Sequence, residues 1–387
     1  MRFAVTYRIF AADLAEARAR AEAIALEQTV EIPRDVVPEG FIAEEILGRI
    51  EEIGPEAEGR FRATISYSPD SAGAELAQFF NVIFGNSSIQ RGLRVIGIDP
   101  GEEMARRHPG PRFGIDGIRA LCGRARGGLI APVLKPQGLD ADALAEIGYR
   151  CARAGADLIK EDHGIMDQPM APFRERVEKT AIAVARANAE SGAETGAETG
   201  AGTGRKTLYF PSLAGAPDEI EANIRFAKQA GADGVLVMPG LLGFGVVARI
   251  ARDPWLNLPV MTHPSFLGPY VLSADTGFDH GVMFGTLQRL AGADISVFPN
   301  VGGRFGFSAA ECGQIARACR DPAGPGLAML PSPGGGMSVA RAGDMAAMYG
   351  TDVVYLLGGS LLRLGDRIEE GLHAMRAALD RAEGAAR

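Results

Sequence analysis

The sequence predicts a mixed α/β protein, in which a C-terminal (β/α)₈ TIM barrel follows a smaller N-terminal α+β domain of the ferredoxin-like kind. Two observations support this prediction. From about residue 116 onward, short apolar runs alternate with helical segments, and eight such units in about 270 residues match the size of a closed barrel. Before that point, strand-like and helical segments follow the order strand–helix–strand–strand–helix–strand. A doubly wound sheet more often has five to seven strands and is our second choice. We therefore expect domains at residues 1–115 and 116–387.

The elements of the N-terminal domain are predicted from short apolar stretches and from one Ala-, Glu- and Arg-rich segment. The strands are expected at Phe3–Phe10, Ala43–Ile53 and Arg60–Ser68, and the helices at Asp13–Glu27 and Gly73–Phe84.

The barrel strands are predicted from eight apolar runs, each followed by polar or Gly/Pro residues and then by a helical segment. They are Leu129–Leu134, Ala156–Lys160, Thr207–Pro211, Gly234–Met238, Pro259–His263, Ile295–Pro299, Leu327–Pro331 and Val353–Leu357. Helices are expected at Asp140–Ala154, Pro217–Ala230 and Ala309–Arg320. The low-complexity segment Ala189–Gly204 lacks apolar periodicity, so we expect a flexible surface insertion at 189–205 without a catalytic role.

Composition narrows the class of protein. The net charge is −8 and the isoelectric point is about 5.4, so nothing favours a nucleic-acid partner. The four cysteines show no CxxC spacing, which is typical of reduced thiols in a cytosolic protein. No stretch reaches membrane-spanning length without charge, and the N-terminus reads as a strand rather than a signal peptide. We expect a cytoplasmic enzyme that needs no membrane.

The most informative segment is the second barrel run, which ends abruptly in Lys160, Glu161, Asp162 and His163. Charged side chains are rarely buried without partners, and the carboxyl ends of barrel strands carry the chemistry of this fold. A hard cation is the simplest partner for Asp162 and Glu161. The alternative is that Asp162 only caps the next helix, but a cap needs one residue rather than four.

Other strand ends add candidates for the same site. Lys135 follows the first run and is a candidate acid or base, or else a structural ion-pair partner. His263, at the end of the fifth run, is either a proton shuttle or substrate contact, or a core histidine. Glycine-rich turns at Gly335-Gly336 and Gly358-Gly359 favour a phosphate site, because barrels often bind phosphate with the loops after strands seven and eight.

In this order, these residues resemble the large subunit of ribulose-1,5-bisphosphate carboxylase/oxygenase (RuBisCO). The resemblance implies that Lys135 moves protons and that Lys160 takes up CO₂ as a carbamate. Lys160 and Asp162 are then expected to bind Mg²⁺ or Mn²⁺. It further implies a homodimer with a shared active site, in which Glu27 and Asn86 reach the site of the neighbouring subunit.

The departures from the carboxylases point to the family's non-carboxylating branch, the RuBisCO-like proteins. The family's second metal-binding carboxylate is His163 here, which we expect to act as a metal ligand instead. Residues 300–307 lack the lysine that stabilises CO₂ in the carboxylases, and Pro264 replaces a phosphate-binding arginine. Gln137 replaces the second lysine of the strand-one motif.

Known members of that branch perform enolate chemistry on keto-sugars with one phosphate. The resemblance therefore implies metal-dependent enolisation and proton transfer, of the isomerase or tautomerase type, on a substrate such as 5-methylthioribulose 1-phosphate, without CO₂ fixation. One alternative is a decarboxylase, or a transcarboxylase or hydrolase, acting on 3-oxo-isoapionate 4-phosphate from apiose catabolism. For that reaction Arg304 is a candidate to bind the substrate carboxylate. A second alternative is a non-catalytic ligand-binding paralogue.

Overall fold

The computed structural model describes residues 1–195 and 204–385. The N-terminal part contains β1 (Phe3–Phe10), α1 (Leu14–Glu27), β2 (Arg49–Ala57), β3 (Arg60–Tyr67), α2 (Pro69–Ala72), α3 (Leu76–Phe84) and β4 (Leu93–Asp99). Strand β1 lies between β3 and β4 and pairs antiparallel with both, while β2 pairs antiparallel with β3. Alternate residues of β1 are buried against the helices, as its period-two pattern requires.

Two of the predicted N-terminal elements differ from the structure. The expected strand Ala43–Ile53 begins as a π-helical turn, Ile42–Ile46, and only then continues as β2. The apolar residues of this turn are not buried, so the hydrophobic run came from an exposed segment and not from a pleated face. The expected helix Gly73–Phe84 begins at Leu76, because Gly73 has a positive φ of 61° and ends the preceding short helix.

The C-terminal part is an eight-stranded parallel barrel surrounded by helices. Its first half contains α4 (Gly101–Arg107), α5 (Gly114–Cys122), β5 (Leu129–Leu134), α6 (Ala141–Arg153), β6 (Leu158–Glu161), α7 (Phe173–Thr195), β7 (Leu208–Phe210), α8 (Ile220–Gln229), β8 (Val235–Val237), α9 (Pro239–Leu242) and α10 (Phe244–Arg252). Its second half contains β9 (Val260–Thr262), β10 (Gly277–Phe278), α11 (Leu287–Ala291), β11 (Ile295–Pro299), α12 (Ala309–Arg320), β12 (Leu330–Gly334), α13 (Ala342–Tyr349), β13 (Val354–Leu357), α14 (Gly359–Leu362) and α15 (Ile368–Ala385). The predicted fold class is confirmed.

The barrel closes on itself between β7 and β8. The sheet runs β7-β6-β5-β13-β12-β11-β9-β8, and a parallel bridge between Ser212 and Leu236 joins its two ends. Closure leaves no exposed edge strand in the barrel, so all eight carboxyl ends surround one mouth.

Three further details bear on the predictions. Helix α7 continues to Thr195, so the first residues of the predicted flexible insertion are helical, and residues 196–203 lie outside the described part of the chain. Strand β10 belongs to the barrel half of the sequence, yet it pairs in parallel with β4 as the fifth strand of the N-terminal sheet. Within the described ranges, no helix has the length and apolar character needed to cross a membrane.

Candidate active site

A cavity of about 940 Å³ opens at the carboxyl ends of the barrel strands. Its lining includes most of the residues that the sequence singled out: Lys135, Lys160, Asp162, His163, His263, Gly335, Gly336, Gly358 and Gly359. Barrel enzymes carry their chemistry at this end of the strands. This cavity is therefore the candidate active site.

The alternation of side chains along the strands decides which residues enter the cavity. In β5, Leu129, Ala131 and Val133 point into the barrel interior, and Lys135 continues that parity at the mouth. In β6, Leu158 is interior, so Lys160 and then Asp162 follow it. Two strands thus deliver two lysines and one carboxylate to the same side of the cavity.

Glu161 has the opposite parity and leaves the site, which corrects the expectation that it holds a cation. Its carboxylate is fully buried behind the strand, where it accepts hydrogen bonds from Arg176 Nε at 2.9 Å and Tyr209 Oη at 2.6 Å. The backbone N–H of Ser212 donates to its other oxygen at 2.9 Å. Glu161 is therefore a structural carboxylate that ties β6 to α7 and β7, and strict alternation along the strand was the signal that the sequence offered.

Asp162 is the centre of the charged cluster. Its Oδ2 lies 2.7 Å from Lys135 Nζ, and its Oδ1 accepts the Gly164 N–H at 2.9 Å and lies 3.3 Å from His163 Nδ1. Burial raises the pKa of Asp162, but Lys135, the Gly164 amide and Lys160 together hold that pKa below its ordinary value. Asp162 is consequently ionised at neutral pH. The hydrogen bond from the Gly164 N–H to Asp162 is that of a tight turn, and the contacts of Asp162 with Lys135 and His163 face the cavity. Asp162 is therefore more than the cap of the next helix.

Lys160 is almost completely buried, with 2% of its surface exposed, and its ammonium donates to the Glu161 carbonyl at 2.6 Å. Burial lowers the pKa of Lys160 to about 8, an effect that Lys135 reinforces and that Asp162 opposes. About a tenth of Lys160 is therefore an uncharged, nucleophilic amine at pH 7, a far larger fraction than for a lysine in water.

Two histidines stack across the cavity. The rings of His163 and His263 have centroids 3.9 Å apart and planes inclined by 14°. The Ser265 N–H donates to His263 Nδ1 at 3.3 Å, and the Ser265 hydroxyl lies 2.9 Å from the same atom. Burial lowers the pKa of His263 well below its ordinary value and also lowers that of His163. Both rings are neutral at pH 7, and acceptance at Nδ1 leaves the proton of His263 on Nε2.

The unmodified side chains form an incomplete metal site. Among the residues that the structure describes, no group of three or more His, Cys, Asp or Glu side chains is arranged to hold a metal ion. Asp162 and His163 provide two adjacent ligand atoms, while the amines of Lys135 and Lys160 bring positive charge to the same carboxylate. The donor set fits a divalent cation only when Lys160 carries an anionic group with oxygen ligands.

The glycine-rich turns lie on the side of the cavity formed by β12 and β13. Strand β12 extends to Gly334, beyond the predicted end at Pro331, so the turn begins at Gly335 and Gly336, which have φ angles of 95° and 67°. Gly358 and Gly359 follow β13 in the same wall. Ser338, Ser360 and Arg363 also line this wall; Ser360 directly follows a predicted glycine turn, whereas Ser338 and Arg363 were not predicted. An arginine four residues after a glycine turn was the available signal.

A second part of the lining, next to the glycine-rich turns, is apolar. Phe266, Leu272, Phe284, Phe305 and Phe307 line the cavity from the loops and helix near β9 and β11, and we call these five residues the apolar wall. Arg304 also reaches the cavity, with its guanidinium 4.9 Å from the centroid of the Phe305 ring.

Glu27 and Asn86 lie together in the N-terminal domain and not in the lining of this cavity. The Asn86 side-chain amide donates to Glu27 Oε1 at 2.9 Å and to Glu31 Oε1 at 3.1 Å. Their pairing was not foreseen. Their predicted part in a partner subunit's site stays a prediction.

Comparisons with known proteins identify the family. The family model described as "Ribulose bisphosphate carboxylase large chain, catalytic domain" matches residues 114–304. The "Ribulose bisphosphate carboxylase-like protein 1" of Rhodopseudomonas palustris is 40% identical over 375 residues, which cover 97% of this chain and 96% of that protein. The chain belongs to the RuBisCO large-chain family.

Further similarity lies within the RuBisCO-like branch. The "5-methylthioribulose-1-phosphate isomerase" of Rhodospirillum rubrum is 37% identical over 379 residues, which cover 98% of this chain and 96% of that protein. The crystal structure of a Rubisco-like protein from Rhodopseudomonas palustris has a TM-score of 0.84 and 34% identity, covering 98% of this chain and 97% of that one. The predictions that this chain is a RuBisCO-like protein and an enzyme are confirmed. The individual roles of its site residues stay predictions.

Proposed function

We propose that this RuBisCO-like enzyme isomerises a keto-sugar phosphate that has one phosphate and one apolar end, of the 5-methylthioribulose 1-phosphate type. The observation that supports this most directly is the polarity of the cavity. One part of the lining has two glycine-rich turns with Arg363, and a separate part is built from aromatic and aliphatic side chains. A bisphosphate requires an anion grip at both ends, whereas a thioether gains free energy from apolar burial. The name of the Rhodospirillum rubrum relative supports the same substrate class.

The reaction itself is a proton transfer through an enolate. A base removes a carbon-bound proton next to the substrate carbonyl, the electron pair moves onto the carbonyl oxygen, and a proton returns to a different carbon. In this proposal either Lys135 or the carbamate on Lys160 moves this proton, which is supported by the position of both residues in the cavity lining beside Asp162. The neutral ring of His263 offers a hydrogen bond to a substrate oxygen without adding charge. Backbone N–H groups of the glycine turns receive the phosphate.

The cofactor part of the proposal is Mg²⁺ or Mn²⁺ together with a carbamate on Lys160. The uncharged amine of Lys160 attacks CO₂, an N–C bond forms as one C–O π bond becomes an oxyanion, and the nitrogen loses one proton, so the neutral amine becomes an anionic carbamate. The carbamate oxygen, Asp162 and His163 then form a ligand set with enough negative charge for a dication. When bound, the metal polarises the substrate oxygens as a Lewis acid.

The oligomeric part of the proposal is a homodimer. The carboxylate of Glu27 and the amide of Asn86 are hydrogen-bonded to each other on an exposed surface, outside the cavity of their own chain. We propose that this pair completes the site of the partner subunit.

Proton NMR in D₂O, with divalent metal and bicarbonate, tests the reaction. With 5-methylthioribulose 1-phosphate, we expect deuterium incorporation and a rearranged pentulose phosphate. Lys160→Ala should abolish turnover while the protein stays folded, and Lys179→Ala, an exposed lysine on α7, should retain it. Absence of exchange and of product in the folded wild-type enzyme would refute the proposed function.

One observation favours a second function, the decarboxylation of a branched 3-oxo sugar acid phosphate. Arg304 lies in the lining of the cavity and offers a cation to a substrate carboxylate. If the wild-type enzyme releases CO₂ from 3-oxo-isoapionate 4-phosphate and Arg304→Ala does not, the decarboxylase function is supported. Turnover that survives the substitution would count against it.

A further inference from the structure

Outside the charged cluster, one segment of the chain joins the N-terminal sheet to the apolar wall. Residues 273–279, which we call the strap, follow directly after Leu272 of the wall and include β10. The strap is part of the barrel half of the sequence, but it is held by the N-terminal domain.

Arg94, on β4, makes most of the polar contacts to the strap. It is 5% exposed, and its guanidinium donates to the carbonyl oxygens of Ser273, Thr276 and Phe278 and to the Asp279 carboxylate. The bonds to Thr276 and Asp279 are both 3.1 Å long. One planar side chain thus fixes the backbone of the strap at three points and its carboxylate at a fourth, from three separate nitrogens that a lysine ammonium does not provide.

Further contacts from the N-terminal domain hold the same segment. The Gly92 N–H donates to Thr276 Oγ1 at 3.2 Å, and the Asp279 N–H donates to the Val95 carbonyl at 2.9 Å. The ring of Phe84 meets that of Phe278 edge to face, with centroids 5.0 Å apart. The strap is therefore packed as part of the N-terminal domain.

The strap in turn contacts the loop that carries the apolar wall. Gly277 has a φ of 106°, and a Cβ at this position would lie 2.1 Å from the Tyr270 carbonyl oxygen. Tyr270 stands between Phe266 and Leu272 in the loop. A shift of the strap must therefore displace the backbone that presents these two side chains.

The other end of the strap leads to the second part of the wall. His280 follows Asp279 directly, and its ring meets that of Phe307 edge to face with centroids 4.6 Å apart. The segment from Leu272 to His280 thus touches both loops from which the apolar wall is built.

We propose that Arg94 is a positioning residue for the apolar wall, so that the N-terminal domain helps to set selectivity for the apolar end of the substrate in its own subunit. The substrate part of this inference rests on the proposed function. Arg94 itself is absent from the cavity lining, so it acts through the strap and not by contact with the substrate.

The chain offers a closely matched control. Arg119 is 7% exposed and also donates to three backbone carbonyls, those of Arg124, Gly127 and Thr351, and to one carboxylate, that of Asp352. These partners lie before β5 and β13, at the end of the barrel opposite the cavity. Arg94→Lys and Arg119→Lys therefore remove equivalent sets of hydrogen bonds. Only the hydrogen bonds of Arg94 lie beside the apolar wall.

The experiment measures kcat/KM for 5-methylthioribulose 1-phosphate and for 5-deoxyribulose 1-phosphate, which lacks the methylthio group. Wild-type enzyme should prefer the first by about 10- to 100-fold, the discrimination that a small apolar group provides. Arg94→Lys should reduce that preference by about tenfold, and Arg119→Lys should leave it unchanged. A loss of folded protein lowers both rates equally and cancels in the ratio. An unchanged ratio in Arg94→Lys overturns the inference.

Hydrogen–deuterium exchange provides a readout that needs no substrate. Peptides covering residues 264–279 should exchange faster in Arg94→Lys than in the wild type, and at the wild-type rate in Arg119→Lys. Unchanged exchange in Arg94→Lys overturns the inference even if neither sugar phosphate is consumed. Failure of the wild-type enzyme to consume either compound refutes the proposed function alone.

Discussion

Removal of Arg176 tests whether Glu161 is structural, as the geometry of β6 requires. Arg176 and Glu161 are both fully buried, and Arg176 Nε lies 2.9 Å from Glu161 Oε1. Arg176 also donates to the Ala171 carbonyl at 2.7 Å. Arg176→Met keeps most of the side-chain volume but leaves the Glu161 carboxylate buried without its counter-charge.

The size of the effect follows from the burial of the pair. Charge centres about 4 Å apart interact by about 4 kcal/mol at an effective dielectric constant of about 20. Breaking a buried pair from one side costs about 3–5 kcal/mol for the same reason, since the remaining charge stays desolvated. The hydrogen bonds from Tyr209 and Ser212 to Glu161 remain. We therefore expect Arg176→Met to lower the free energy of unfolding by about 4 kcal/mol.

Urea unfolding followed by circular dichroism measures this cost, and a double-mutant cycle assigns it to the pair. The double variant Glu161→Gln with Arg176→Met should be more stable than Arg176→Met alone by about 2 kcal/mol or more, because the buried charge is gone. Lys179→Ala is the control, since Lys179 lies one turn further along α7 in exposed ion pairs with Asp142 and Glu175 and should cost less than about 1 kcal/mol. A cost below about 1 kcal/mol for Arg176→Met, or no coupling with Glu161→Gln, would refute the structural role.

Two further predictions concern stability. Gly234→Ala places a Cβ 2.2 Å from a phenyl ring on the neighbouring barrel strand and should lower the free energy of unfolding in urea by about 1–3 kcal/mol, whereas Gly245→Ala, with open space around it, should not be destabilising. Burial and two neighbouring guanidinium groups lower the pKa of His108 to about 4. The unfolded chain therefore binds the extra proton first, so that stability present at pH 7 is lost as the pH falls from about 6.5 to 4, by about 3 kcal/mol for this group. His108→Gln should flatten that part of the stability–pH curve, and an unchanged slope would contradict the assignment.

The sequence by itself determined the succession of the barrel strands along the chain, the barrel architecture and most of the residues at its mouth. Eight apolar runs could be counted without a structure, and seven of them match a barrel strand to within two residues at each end. The reason is local: a strand buried on both faces must be continuously apolar, and its end is marked by the first charged or glycine residue. Lys135, Lys160, Asp162 and His263 were found in this way.

Only the tertiary structure decided which way each side chain points and which segments distant in the sequence come into contact. Whether Glu161 faces the cavity or Arg176 depends on the register of β6 within a closed barrel, and the adjacent sequence letters do not express it. Ser338 and Arg363 meet in the site only because the loops after β12 and β13 converge there. The pairing of β10 with β4 joins segments that are about 180 residues apart in the sequence. It is made by backbone hydrogen bonds and by the guanidinium group of Arg94. Such contacts arise from the three-dimensional packing of the whole chain, so no local pattern could have predicted them.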